Sequence, residues 1–508
     1  MSGSITVQQA QRVQHNRRDR DSQISLLSTV HPSTTIDLPV VIDCTVETQP
    51  MSVRPLHELT PFAPATAANS GSGGNTSSKL PPEPTSLAES GLGMGFMSEL
   101  VLKHIYFAGM LSGQQLADAL RLPFLNVVDT ALNFLKEEEY VDITGAQGGF
   151  YERSFQYVIT TKGRQKVHEV LDRSQYAGPA PVPLNAYVES VKQQSVGSMV
   201  IDQQSIRQAF EGLIISEKLM DQIGPAANSA RSLFLYGPPG NGKTTIAEGI
   251  SRILKGHVII PHAVEIDGQV IKVFDPLNHV PVEQPSQPED NTFGINPVLS
   301  TPPRSDTRWV LCKRPVVVVG GELILEQLEL IYDPIAKVYE APYQMKANGG
   351  LFLIDDFGRQ QCRPQDLLNR WIVPLEKKVD YLALQTGKKL EMPFDVLIVF
   401  STNLDPKQLV DDAFLRRIRH KIEVPNPSPN EYRDIFRLVC KSKNIPYSDD
   451  GLRYLLQEHY IKVNRDLRCC HPRDLCDQIL DEAKYRSIPP QMTKELLDRA
   501  CGAYFVKL

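Results

Sequence analysis

One segment constrains this chain more than any other. An apolar stretch, SLFLY at 232–236, runs into GPPGNGKT at 237–244, and TIAEGISRIL follows at 245–254. The first stretch is typical of a buried strand, and the last has the apolar spacing of a helix. Glycines between a strand and a helix let backbone N–H groups turn inward, where the helix dipole also favours phosphate. The pattern G-x-x-x-x-G-K-[ST] in this setting predicts a phosphate-binding loop within an α/β fold.

The residues of this loop have separate expected roles. Lys243 is placed to reach the β- and γ-phosphates of a nucleotide, and Thr244 to offer its hydroxyl to Mg²⁺. The other residues expected to contact the nucleotide are Gly237, Pro238, Pro239, Gly240, Asn241, Gly242 and Thr245. The loop therefore predicts a bound triphosphate and its magnesium.

Two later apolar segments end in polar residues suited to the same site. The first, LFLI, is followed by Asp355 and Asp356. A carboxylate at the carboxyl end of a strand beside the phosphate loop suits Mg²⁺ coordination. We expect Asp355 to hold the metal through water and Asp356 to orient and polarise the attacking water. The second segment, VLIVFSTN at 396–403, brings Asn403 to this edge, where its amide can bond the γ-phosphate or the water.

A basic segment follows these strands. DDAFLRRIRHKIEV at 411–424 contains Arg416, Arg417 and Arg419. A guanidinium that enters a neighbouring subunit's site would neutralise charge developing on the γ-phosphoryl group. The alternative is a solvated basic face.

Five segments resemble, in order, the Walker A, Walker B, sensor 1, arginine finger and sensor 2 motifs of AAA+ ATPases. They are GPPGNGKT, LFLIDD, FSTN, DDAFLRRI and HPRD (471–474). The resemblance covers about residues 200–508 and is greatest to the MoxR-type and helix-2-insert branch. It implies ATP hydrolysis with Mg²⁺ in a homo-oligomeric ring, expected to be a hexamer. It also implies an α/β core with a parallel sheet over 201–427 and a helical lid over 428–508, with Arg473 as sensor 2 and Arg416 or Arg417 as the finger.

The sequence departs from the family pattern in three places. Walker B has Asp356 where the family usually has glutamate, so its carboxylate falls roughly 1.5 Å short on an unchanged backbone. This departure puts the hydrolysis rate in doubt, but not nucleotide binding. The interval from Lys243 to Asp355 is unusually long, and we assign about 257–345 to an insertion that faces a pore or a partner, or has no role. The RCC before the sensor 2 motif is also unusual.

The N-terminal half divides into three predicted parts. Residues 1–93 are poor in aromatics and contain a Ser/Gly/Thr/Pro-rich tract, which predicts a disordered tail. Three helical patterns, two strand-like segments and a closing helix at 94–175 resemble a winged helix domain. A proline-punctuated linker is predicted at 176–200.

The charge of the winged helix-like part argues against DNA as its partner. Residues 94–175 hold eight basic and ten acidic side chains, and the third helix ends in Glu137, Glu138 and Glu139. Phosphate contacts supply most non-specific affinity for DNA, and this helix offers almost none. We therefore expect it to dock a protein, with DNA binding as the disfavoured alternative.

Composition narrows the classes of protein to which this chain can belong. The net charge of −5 excludes a globally basic nucleic-acid coat protein, and the eight cysteines form no short-spaced framework. No segment has the 18 or more apolar residues of a membrane span, so a soluble cytoplasmic protein is expected. The leading hypothesis is an ATPase that remodels a protein target in a chaperone-like way. The alternatives are an ATP-gated DNA-binding regulator and a nucleotide-dependent scaffold with little turnover.

Overall fold

The computed structural model describes residues 80–146, 151–282, 304–409 and 412–505. Residues 1–79 of the predicted disordered tail (1–93) and residues 283–303 of the predicted insertion lie outside the described residues. Within the described ranges, no helix combines the length and apolar character needed to cross a membrane.

The N-terminal part combines helices with a small sheet. Its elements are α1 (Leu87–Ser90), α2 (Met94–Ala108), β1 (Met110–Ser112), α3 (Gly113–Leu120), α4 (Asp129–Glu137), β2 (Val141–Ala146), β3 (Phe155–Ile159) and α5 (Thr161–Leu171). The strands are antiparallel in the order β1-β3-β2. Ser112 caps α3, because its hydroxyl accepts the N–H of Gln115 while the Gln115 side chain accepts the N–H of Ser112. The element order agrees with the predicted pattern, and the winged helix assignment stays a prediction.

The folded part begins before the predicted boundary at residue 93. Ser86 caps α1 by accepting the N–H of Glu89, and Leu92 is buried among the N-terminal helices. The N–H of Glu83 donates to the carbonyl of Arg304. Assigning residues 80–93 to the tail was therefore wrong. Leucines scattered through a Pro- and Ser-rich segment give no periodic signal, so the sequence pattern did not reveal this anchoring.

The predicted linker 176–200 is also ordered over much of its length. It contains β4 (Val182–Pro183) and α6 (Leu184–Gln193). Val182 lies opposite Val264 in a parallel pair, and Tyr187 and Val191 are buried. The prolines suggested a spacer, but these apolar side chains dock the segment onto the insertion.

The central part carries the phosphate loop. Its elements are α7 (Gln203–Ala209), α8 (Glu217–Asn228), β5 (Leu233–Tyr236), α9 (Lys243–Ile253), β6 (His257–Pro261), β7 (Ala263–Ile266), β8 (Gln269–Lys272), β9 (Trp309–Lys313), β10 (Val316–Val319), β11 (Ile331–Asp333), β12 (Val338–Glu340), α10 (Tyr343–Lys346), β13 (Leu351–Ile354), α11 (Pro364–Lys377), β14 (Val379–Ala383), β15 (Lys389–Pro393), β16 (Leu397–Thr402), α12 (Pro406–Leu409), α13 (Asp412–Leu415) and β17 (His420–Glu423).

Five of these strands form a wholly parallel sheet in the order β10-β13-β16-β5-β17. Strands β13 and β16 are buried at every position, as expected where both faces of a parallel sheet are covered. Helices α7, α8 and α9 pack on one face, and α11 packs on the other. The predicted α/β class with a parallel sheet is confirmed.

The predicted insertion at about 257–345 is not one separate piece. Val316–Val319 is an edge strand of the central sheet, and Val316 lies opposite Leu351. Around it, β7, β8, β11 and β12 join β4 in a second sheet, and β6 pairs with β9. Assigning β10 to the insertion was wrong. Its valine run resembles the neighbouring strands, and only its pairing shows which sheet it joins.

A buried ion pair joins the insertion to earlier parts of the chain. Arg308 is 4% exposed, and its guanidinium donates to both carboxylate oxygens of Asp306. It also donates to the carbonyl of Ser90 at 2.9 Å and to that of Pro181 at 3.3 Å. One guanidinium thus binds three segments of the chain that are distant in sequence.

The C-terminal part is helical, as expected of a lid. Its helices are α14 (Pro429–Ser442), α15 (Asp449–Leu456), α16 (His471–Arg486) and α17 (Lys494–Tyr504). Ser428 begins α14 through a capping box with Glu431. The helices enclose their own core, in which Tyr432, Phe436 and Leu475 are fully buried.

Candidate nucleotide site

The phosphate loop lies between β5 and α9. Gly237 and Gly242 have φ angles of 138° and 80°, which disfavour residues with a side chain. A Cβ at Gly237 would come within 2.4 Å of the carbonyl oxygen of Val424. The loop backbone thus needs glycine at these two positions to turn from strand into helix.

Lys243 is bound to neutral oxygens of the site. Its Nζ donates to the carbonyls of Gly237 and Pro238, each at 3.0 Å, and to Oδ1 of Asn403 at 2.6 Å. The side chain is buried, and desolvation lowers its pKa although the charge of Asp355 opposes this effect. A phosphate oxygen carries more charge than these partners and would bind the ammonium more strongly.

Thr244 and Asp355 form an oxygen pair suited to magnesium. The hydroxyl of Thr244 donates to Oδ2 of Asp355 at 2.7 Å. Mg²⁺ prefers oxygen ligands and is usually held by one or two carboxylates together with phosphates and water. No cluster of three or more His, Cys, Asp or Glu side chains that could hold a metal occurs in the described ranges. The pair fits a magnesium ion that takes its other ligands from nucleotide and solvent.

Asp356 contacts the predicted sensor residue. Its Oδ1 accepts a hydrogen bond from Nδ2 of Asn403 at 3.0 Å, while Oδ1 of Asn403 accepts from Lys243. Asn403 therefore links the cation of the loop to the carboxylate that is expected to polarise water. Although the three residues are far apart in sequence, adjacent parallel strands bring them to one edge of the sheet.

These residues line a cavity of about 570 Å³, a volume typical of ligand sites. Its predicted lining residues include Pro239, Gly240, Asn241, Gly242, Lys243, Thr244, Thr245, Asp355, Asp356 and Asn403. Gly237 and Pro238 contribute through their carbonyls to Lys243 instead. Ile214 and Ile215, which precede α8, and Leu438 of α14 also line the cavity. These apolar side chains suit a flat base and were not predicted, although the apolar run in GLIIS was their visible signal.

The loop before α16 binds the phosphate loop directly. The Nη1 of Arg468 donates to the carbonyl of Pro239 at 2.9 Å, and the N–H of Cys470 donates to that of Gly240 at 2.8 Å. The predicted lid is thereby attached to the backbone that would surround phosphate. Sequence reasoning did not identify these contacts, because they come from an irregular segment.

Asn241 extends this connection with its side chain. It is 4% exposed, its Nδ2 donates to Oδ1 of Asn426 at 2.8 Å, and its Oδ1 accepts the N–H of Cys469 at 3.3 Å. Asn241 therefore connects the phosphate loop both to the segment after β17 and to the lid.

Arg473 lies in the first turn of α16 and lines the same cavity. Its Nε donates to Oδ1 of Asp474 at 3.0 Å, and the hydroxyl of Tyr504 donates to the other oxygen of that carboxylate. The guanidinium is largely exposed. The predicted sensor 2 residue is thus at the cavity, with its orientation set by a neighbouring carboxylate.

Protonation of His471, at the start of α16, is expected to destabilise the lid. The ring is buried, its Nδ1 bonds the hydroxyl of Tyr460 at 2.9 Å, and burial lowers its pKa from 6.5 to about 4. Its stabilising contribution is therefore complete above pH 6.5 and is lost as the pH falls towards 4. Between pH 6.5 and 4, we expect the free energy of unfolding to fall less in His471→Gln than in the wild type. Urea unfolding at each pH measures this free energy. Equal losses would contradict this expectation, and the exposed His168→Gln is the control.

Arg416 and Arg417 lie away from the cavity of their own subunit. They precede β17, whose four residues span about 13 Å, whereas the phosphate loop follows the carboxyl end of the parallel strand β5. The Nε of Arg417 donates to Oε1 of Glu376 at 2.5 Å, and Arg416 is exposed. Neither residue is brought to the site, as expected of arginines that would act on a neighbouring subunit.

Comparison with known proteins gives partial likenesses. Residues 428–503 match a family described as a domain of unknown function, DUF8689. No curated protein matches the chain.

Two solved structures show a distant likeness. One is the RuvB Holliday junction branch migration motor of Thermotoga maritima, at 13% identity and a TM-score of 0.31, covering 64% of this chain and 72% of that one. The other is NtrX from Brucella abortus in complex with ADP, at 13% identity and a TM-score of 0.34, covering 75% of this chain and 67% of that one. These likenesses do not assign a family, and the α/β fold with its phosphate loop rests on the sheet order and the contacts described above.

Proposed function

We propose that this chain is an AAA+ type ATPase that binds ATP with Mg²⁺, hydrolyses it, and uses the cycle to remodel a protein target. One observation carries the proposal. At the carboxyl edge of one parallel sheet, Asn403 bonds both Lys243 and Asp356, and the hydroxyl of Thr244 bonds Asp355. Such a set is what binding a triphosphate and orienting a water molecule requires.

The side chains have distinct roles in the proposed reaction. The loop N–H groups and Lys243 bind the β- and γ-phosphates, and Asn403 bonds the γ-phosphate or the water. Thr244 and Asp355 would hold the magnesium ion, which would supply positive charge to neutralise the phosphate oxygens. Asp356 orients the water and accepts its proton as the new O–P bond forms. The bond between the γ-phosphorus and its bridging oxygen breaks, so that ADP leaves with the electron pair.

The position of the arginines supports a ring of identical subunits. Arg416 and Arg417 precede β17 and therefore lie at the amino ends of the parallel strands, whereas the phosphate loop lies at the carboxyl ends. They cannot complete the site of their own subunit. A second subunit that offers its phosphate loop to this face would receive a guanidinium where the γ-phosphate is cleaved. We propose that the ring is a hexamer, because the sequence motifs resemble those of AAA+ ATPases.

The N-terminal helices favour a protein as the target. Glu137, Glu138 and Glu139 are all exposed at the end of α4, the helix that would read DNA in a winged helix domain. Three exposed carboxylates repel a phosphate backbone. A salt-dependent shift of a labelled duplex by the full chain would instead favour the DNA-binding regulator.

Lys243→Ala tests nucleotide binding directly. We expect the affinity for ATP to fall about 10- to 100-fold, because a charge-assisted bond to phosphate is lost. Titration of a fluorescent ATP analogue measures it. Lys255→Ala is the matched control, since this lysine follows α9 and its ammonium donates to the side chains of Ser205 and Gln208, outside the site. Unchanged affinity in Lys243→Ala would refute the nucleotide site, whereas tight binding without phosphate release by the wild type would favour the scaffold alternative.

A further inference from the structure

A glutamine that follows β13 makes contacts that the proposed reaction does not use. The Nε2 of Gln360 donates to the carbonyl of Asp355 at 2.9 Å and to that of Asp356 at 3.3 Å. Its Oε1 accepts the N–H of Gly358 at 2.8 Å. The same Nε2 lies 3.4 Å from the carbonyl of Gly320, just after β10. One half-buried amide therefore holds both ends of the turn that carries the two aspartates.

This turn has an unusual backbone at the residue expected to polarise water. Asp356 has a φ of 47°, in the left-handed region. Aspartate and asparagine enter this region far more readily than residues with longer side chains. The next residue is fixed from the other side, since the N–H of Phe357 donates to the carbonyl of Ser401 and the hydroxyl of Thr402 donates to the carbonyl of Phe357. The turn is thus bonded to β16 on one flank and to Gln360 on the other.

We propose that Gln360 is a positioning residue that holds Asp356 in its left-handed conformation, and that this conformation is why aspartate serves where related ATPases use glutamate. The conformation already brings the short carboxylate within 3.0 Å of the Asn403 amide. Gln360 acts only through the turn, because its amide is occupied by backbone groups. The inference rests on the proposed ATPase activity and adds a residue to it.

Positioning and mere stabilisation make different predictions. If Gln360 only stabilised the fold, its loss would lower the free energy of unfolding and leave kcat of the folded protein unchanged. If it positions Asp356, its loss lowers kcat while the affinity for ATP stays the same, since Lys243 and the phosphate loop are untouched. A misplacement of about 1 Å at a reacting group costs up to 100-fold in rate.

The test measures ATP hydrolysis and ATP affinity of the full chain carrying Gln360→Ala or Gln360→Glu. We expect kcat to fall about 10- to 100-fold in both variants at unchanged ATP affinity. Gln360→Glu keeps an acceptor for Gly358 but loses the donor to the two aspartate carbonyls. Gln365→Ala is the matched control, because its amide on α11 likewise donates to a backbone carbonyl, that of Leu409, and lies outside the site.

Two further variants separate the possible outcomes. In an Asp356→Asn background, Gln360→Ala should change the residual rate less than about twofold, because both changes act on one group. Asp356→Glu should not exceed the wild-type rate, since glutamate fits the left-handed backbone less well. An active wild type with unchanged kcat in Gln360→Ala, or a faster Asp356→Glu, would overturn this inference and leave the ATPase standing. A wild type that binds ATP without turnover would overturn both.

Discussion

Asp356→Asn is expected to bind ATP as tightly as the wild type and to hydrolyse it about 100- to 10,000-fold more slowly. Asparagine has the size of aspartate, and its side-chain oxygen can still accept the hydrogen bond from Asn403 that the carboxylate accepts now. It cannot take a proton from water. Phosphate release at saturating ATP, together with equilibrium titration of the nucleotide, would measure the two quantities separately.

The control for this variant is Asp405→Asn. Asp405 is exposed two residues after Asn403, and its carboxylate accepts only the backbone N–H of Lys407 among its described hydrogen bonds. It should retain wild-type turnover. If Asp356→Asn did so as well, Asp356 would not be the group that activates water. If the expected result holds, Asp356→Asn stalled with ATP should keep a protein target attached and allow its isolation.

Arg416→Ala is expected to lower turnover about 1,000-fold without weakening ATP binding, because a guanidinium delivered between subunits stabilises charge formed only during phosphoryl transfer. Arg417→Ala should have a much smaller effect. Its guanidinium is bonded to Glu376 of its own subunit, whereas Arg416 is exposed beside it. Steady-state hydrolysis by each variant at matched protein concentration would compare the two.

Mixing variants tests whether the arginine acts between subunits. Asp356→Asn subunits have an intact arginine and an inactive site, and Arg416→Ala subunits have the reverse. In mixed assemblies we expect turnover above that of either variant alone. Failure to recover activity, with assembly verified by light scattering, would refute action in trans. A loss in Arg417→Ala that exceeds the loss in Arg416→Ala would assign the role to the other residue.

The sequence predicted the central features because they depend on local patterns. A strand, a glycine loop and a helix are contiguous around Lys243, and the aspartates and Asn403 directly follow strongly apolar strands. Parallel strands bring their carboxyl ends to one edge, so the assembly of these residues followed from the fold class. Their catalytic roles stay predictions until turnover is measured.

Features that depend on pairing between distant segments could not be predicted. The valine run at 316–319 has the same composition whether it joins the central sheet or a separate insertion, and only its register with Leu351 decides the matter. The roles of Asn241 and Gln360 depend on side-chain amides that bond backbone groups, and amides of this kind are common on surfaces. The left-handed backbone at Asp356 has no signature in an Asp-Asp pair.

The guanidinium of Arg308 bears on how force could travel through this molecule. One buried cation bonds the end of α1, the segment before β4 and its own loop. Movement of these segments relative to one another would leave a buried charge without its partners, which is unfavourable. A target bound by the N-terminal helices would therefore move together with the second sheet as one rigid unit. Any conformational change driven at the nucleotide site would then be transmitted to that target with little loss.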